Sequence, residues 1–76
     1  MVIGDLLKQK RESLGVSARG LSVQVGMSPS YVSKVEAGEL DPTLHCFARM
    51  ASALKMNHYE IAACLAVALQ DDGGTV

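Results

Sequence analysis

Helix starts constrain this chain more than any other feature. An apolar residue, a capping side chain and a second apolar residue recur at one spacing: Val16, Ser17 and Leu21; Met27, Ser28 and Val32; Met56, Asn57 and Ile61. A residue before the cap that packs on the fourth helical residue is a hydrophobic staple, and it fixes how the chain enters the helix. Ser and Asn at the cap accept hydrogen bonds from the free N–H groups of the first turn. Glu60, three residues after Asn57, completes a capping box. Pro29 suits a first helical position, where its missing N–H costs nothing. The stops are as regular as the starts. Gly15, Gly26 and Gly38 stand where a helix end takes a left-handed residue. The spacing predicts five short helices, over about 3–14, 17–24, 29–37 and 43–55, with the fifth following Asn57. Ile3, Leu6, Leu7 and Leu14 form the inward face of the first. Strand-like alternation is missing from the sequence.

A chain of 76 residues holds one domain. Residues 1–70 form that domain, and "DDGGTV", 71–76, reads as a flexible tail. So small a core is marginal, yet 49% of the residues are hydrophobic, so a second subunit is expected to cover part of the apolar surface. The start, "MVIGDLLKQKR", lacks the apolar stretch of a targeting signal. The longest apolar run, "IAACLAVAL", is nine residues, too short to span a bilayer. A cytoplasmic protein without a membrane partner is expected. Cys46 and Cys64 form no C-x-x-C and read as reduced, buried thiols.

The net charge of −1 hides a polarity. Residues 1–35 carry Lys8, Lys10, Arg11, Arg19 and Lys34 against Asp5 and Glu12. Residues 36–76 carry Arg49 and Lys55 against six carboxylates. A basic front can face phosphate despite a neutral total. Helix two, the tight "VGMS" turn and helix three have the spacing of a helix-turn-helix. Val32 and Val35 face inward. Ser30, Ser33, Lys34 and Ala37 face outward, with Tyr31 at the edge. A short helix with small outward side chains can enter the DNA major groove.

These residues resemble the phage repressor and Cro type of helix-turn-helix domain, also called the xenobiotic-response-element (XRE) family. "GMSPSYVSKVEAG" is similar to its turn and recognition helix, and "PTLHCFARMASAL" to its fourth helix. The resemblance covers about residues 3–70 and implies an all-α, five-helix, lambda-repressor-like fold with helix three in the major groove. It implies base contacts by Pro29, Ser30 and Lys34, with Tyr31 and Ser33 beside them, and backbone contacts near Ser17, Arg19 and Ser28. It also implies a partly buried salt bridge between Arg11 and Glu36. The sequence departs from the family pattern at Glu39 and Asp41, where relatives often carry Lys or Arg, and at Lys55, where Gly often ends helix four. Gly20 weakens helix two or permits close helix packing.

Helix five is apolar nearly all round and needs burial on two sides. A homodimer through Ala63, Ala66 and Val67 is expected, which would set two recognition helices on a pseudo-palindrome. An enzyme is not expected. His45, His58, Cys46 and Cys64 are the only candidate nucleophiles, bases or soft metal ligands, and their spacing matches no metal or catalytic motif. No metal and no cofactor are expected. The favoured reading is a transcription regulator, a repressor, binding double-stranded DNA. The alternative is a protein-interaction module, such as an antitoxin or adaptor, on the same fold.

Overall fold

The computed structural model describes residues 3–73, with the side chains of 3–70. The described residues form helices α1 (Ile3–Ser13), α2 (Ala18–Gln24), α3 (Tyr31–Glu36), α4 (Leu44–Ala53) and α5 (His58–Gly73), and no strand. α1 packs on α3 and α5, while α2 packs on α3 and α4. The last helix continues to Gly73, past the boundary expected at 70, and 74–76 lie outside the described residues.

One backbone device closes four of the five helices. Gly15, Gly26 and Gly38 adopt φ of 71°, 79° and 80°, and Lys55 takes the same role at φ 55°. In each case two N–H groups reach back to carbonyls of the last turn, as Met56 does to Ala51 and Lys55 to Ser52. This is the Schellman motif, which satisfies carbonyls that the helix itself leaves free. Lys55 bears the steric cost that a Gly would avoid. The residue after the left-handed one is Val16, Met27 or Met56 after α1, α2 and α4, and each packs half-buried against the core. Val16 and Met56 thereby serve both the end of one helix and the start of the next.

Two caps form as the spacing predicts. Ser17 accepts from the Gly20 N–H at 2.9 Å. The Asn57 and Glu60 side chains each accept the other's backbone N–H at 2.9 Å, a complete capping box. α4 is capped by Thr43, which accepts from the Cys46 N–H at 3.1 Å. The start of α3 differs from the expectation. Ser28 does not cap it; the Tyr31 N–H donates to the Ser28 carbonyl at 3.0 Å, closing a turn with Pro29 at its second position. The helix begins only at Tyr31, with Ser30 as its cap residue and no side-chain cap bond.

The core comprises Leu7, Leu21, Val25, Tyr31, Val32, Val35, Phe47, Met50, Leu54 and Cys64. Every helix contributes, so none is stable without its neighbours. Leu14 was expected inside but is 46% exposed. It lies in the turn that ends α1, where the helical period no longer governs side-chain direction. Both cysteines are free thiols, Cys64 buried and Cys46 half-buried; burial pushes the Cys64 thiol above its ordinary range.

Candidate nucleic-acid interface

The joint between α2 and α3 is built around Ser22. This side chain is fully buried. Its hydroxyl donates to the Ala18 carbonyl at 2.8 Å and accepts the Val32 N–H at 3.0 Å. The first N–H groups of a helix have no partner within it. Ser22 supplies one from the preceding helix and so sets where α3 begins relative to α2. Ser22→Ala should destabilise the domain by about 1–3 kcal/mol, because the buried Val32 N–H loses its acceptor. Ser33→Ala, on the exposed side of α3, should change stability by less than about 0.5 kcal/mol. Urea denaturation of the two variants checks the contrast.

A second joint holds the far end of α3. The Arg11 guanidinium grips Glu36 with two bonds, Nε to Oε2 at 2.7 Å and Nη2 to Oε1 at 3.0 Å. Its remaining arm, Nη1, donates to the Val16 carbonyl at 2.7 Å. One side chain from α1 therefore ties together the last turn of α3 and the link into α2. Both charged side chains are nearly out of solvent, 11% and 8% exposed. The hydrogen bonds from Glu36 hold the Arg11 guanidinium proton still more firmly than usual. At the other end of α1, Gly4 is buried against α3. A methyl placed there would stand 2.5 Å from the Val35 carbonyl oxygen and 2.8 Å from the Glu36 Cα. Neither contact is physically open to an L side chain, so α1 and α3 touch backbone to backbone at this point.

These joints leave one side of α3 free. Tyr31, Val32 and Val35 point into the core, while Ser33, Lys34 and Ala37 are exposed. Ser28, Pro29 and Ser30, in the turn before the helix, are also exposed. Tyr31 corrects the expectation that it borders the base-reading surface. It is 8% exposed, and burial together with a hydrogen bond to Cys46 pushes its phenol up to about 12. Its place in the core follows from the later start of α3, which turns residue 31 toward α4. The Cys46 thiol is correspondingly held below its usual range, first by Thr43 and then by Tyr31.

At the start of α2, Ser17 and Arg19 are exposed. Ala18 shares a shallow hollow with Ser33 and Ala37 of α3 and with Lys8 and Arg11 of α1. The N-terminus of α2 therefore adjoins the outer face of α3, and Lys8 is a further exposed cation there that sequence spacing did not single out. Its signal was present only as a Lys three residues before Arg11 on α1, which gains meaning once Arg11 is seen to hold α3. Gly20 does not serve helix packing. A methyl there would meet the Ser17 hydroxyl at 2.8 Å, so the Gly leaves room for the cap. The turn residue Gly26 faces the Arg49 guanidinium of α4, 3.4 Å from where its Cβ would stand. Glu39 and Asp41 are exposed in the loop after α3.

The remaining candidates lie elsewhere. Ala63 borders the hollow between α5 and α1, with Leu6, Gln9 and Lys10. Ala66 is exposed and Val67 half-buried. No three His, Cys, Asp or Glu side chains among the described residues stand close enough to share a metal ion. No helix among them is long and apolar enough to cross a membrane.

Comparison with known proteins agrees with this geometry. Residues 2–63 match the family model of a helix-turn-helix domain. No curated protein and no solved structure gives a match. The matched segment takes in α1 to α4 and the first part of α5, and with them both joints that hold α3. The chain belongs to the helix-turn-helix domain family, consistent with the phage repressor and Cro type.

Proposed function

We propose that this protein is a sequence-specific DNA-binding transcription regulator, a cytoplasmic repressor that binds a pseudo-palindromic operator as a homodimer. The observation that carries this reading is the helix α3 itself. It is fastened at one end by Ser22 and at the other by Arg11, and its free side carries only Ser33, Lys34 and Ala37. A fixed helix with small outward side chains and one cation fits a major groove. Lys34 is assigned to guanine O6 and N7, and Ser30 and Ser33 to base edges. Pro29 lies against the groove wall as an apolar contact. Arg19, Ser17 and Ser28 are assigned to backbone phosphate, which fixes register without reading sequence. A cation in the first turn of α2 opposes the helix dipole, and a phosphate contact gives Arg19 a reason to be there.

Selection of duplexes from a random pool tests the reading, followed by three substitutions. Lys34→Ala should weaken binding to the selected site by about 1–3 kcal/mol and relax base preference nearby. Arg19→Ala should weaken all sequences alike and reduce the salt slope by about one phosphate contact. Glu39→Lys should raise non-specific affinity by removing a repulsive charge. Binding that is indifferent to Lys34→Ala and Arg19→Ala would end the proposed docking. The exposed Glu39 and Asp41 favour a second reading, in which the same fold serves as an antitoxin-like or adaptor module for a protein partner. Affinity for that partner would show little of the steep salt dependence of phosphate contacts.

A further inference from the structure

The large apolar side chains left in solvent are concentrated between α4 and α5. Leu44 is 77% exposed, Leu65 45% and Leu69 73%. Leu65 and Leu69 are four residues apart and share one face of α5. Leu44, Phe47 and Leu65 together line both halves of one continuous groove along α4. Asp41 borders one end of this groove and Lys55 the other. Both are exposed, and neither forms an ion pair among the described residues.

We propose that this groove is the homodimer interface, with α4 of the second copy crossing it antiparallel. A two-fold axis pairs the same patch on both copies, so an interface must be complementary to itself. Antiparallel helices related by that axis exchange their ends. Asp41 of each copy then meets Lys55 of the other, and the leucines between them cover each other. An apolar stripe with opposite charges at its two ends satisfies this condition; a stripe ending in like charges does not. The inference moves the interface from Ala63, Ala66 and Val67 to the Leu65 side of α5. Ala63 and Ala66 present single methyl groups and Val67 is already half-buried, so they offer less apolar surface to cover. The proposal deepens the regulator reading, since it names the surface that would bring two copies of α3 to one duplex.

Sedimentation equilibrium without DNA tests it over about 1–100 μM, the range of a moderate dimer. The wild type should dimerise in that range. Leu65→Glu should leave a monomer whose circular dichroism remains helical, because residue 65 is already partly in water. Asp41→Lys and Lys55→Asp should each raise the dissociation constant about tenfold or more, since each places two like-charge contacts in every dimer. Asp is among the residues that tolerate a left-handed backbone, so the change at 55 keeps the end of α4. The double exchange should return to within about threefold of wild type. A wild type that stays monomeric overturns the proposal and gives the groove to another occupant. So does a dimer that survives Leu65→Glu, one that Val67→Glu alone dissociates, or a double exchange without recovery. Because no DNA is present, none of these outcomes bears on whether Lys34 reads a duplex. A dimer that forms as proposed yet binds no DNA would sink only the regulator reading.

Discussion

Replacing Arg11 with Ala should cost about 3–5 kcal/mol of folding stability, the range for removing one partner of a buried ion pair. Whole domains are stable by only about 5–15 kcal/mol, so the variant should sit near its unfolding threshold. For a chain of this size the loss corresponds to a melting temperature lower by about 15–30 °C. The reason is desolvation rather than lost attraction alone. Glu36 is 8% exposed, and without the guanidinium its charge remains in a site that water barely reaches. The Val16 carbonyl loses the Nη1 donor at the same time. A double change, Arg11→Met with Glu36→Leu, should recover much of the loss because no charge is then stranded. Recovery should stop short of wild type, since the Val16 carbonyl is still without its donor. Thermal denaturation of the two variants side by side separates the ion pair from the backbone contact. A fall of less than about 1 kcal/mol for Arg11→Ala would mean the pair behaves as an exposed one.

Gly4→Val should be the other severe change, at about 3 kcal/mol or more, the upper end of overpacking costs. Its Cβ would meet backbone atoms of Val35 and Glu36, not the end of a flexible side chain. Backbone cannot rotate away, so α1 must lift from α3 or α3 must move. Gly4→Ala should be milder but still destabilising, because its gain of about 1 kcal/mol in helix propensity opposes the same clash. Moving the last turn of α3 should also lower affinity for a selected duplex in the fraction that remains folded. Chemical denaturation gives the stability, and titration at low temperature gives the affinity. A stable Gly4→Val variant would show that the contact between α1 and α3 can open at little cost.

Much of the architecture was legible in the order of residues. Caps, capping box and glycine stops are local chemistry: each needs only atoms within a few positions, so spacing reveals them. The Arg11–Glu36 pair came from resemblance, since 25 residues separate the partners and no local rule joins them. Leu14 and Tyr31 show where periodicity misleads. A period describes a helix only while the helix lasts, and both residues sit at ends displaced from where the pattern put them. Ser22 and Gly4 escaped notice for another reason. A Ser or a Gly inside a helix looks like a mild weakness until the backbone of a second helix is placed against it.

The sequence by itself determined the five helices, the places where they start and stop, and the basic front of the chain. Those outcomes depend on hydrogen bonds and dihedral preferences within a single turn. Only the tertiary structure decided which face of α3 is free, that Tyr31 belongs to the core, and that the leucines of α4 and α5 share one groove ending in opposite charges. Each of these depends on groups far apart in the chain meeting at a fixed distance, and only packing sets that distance.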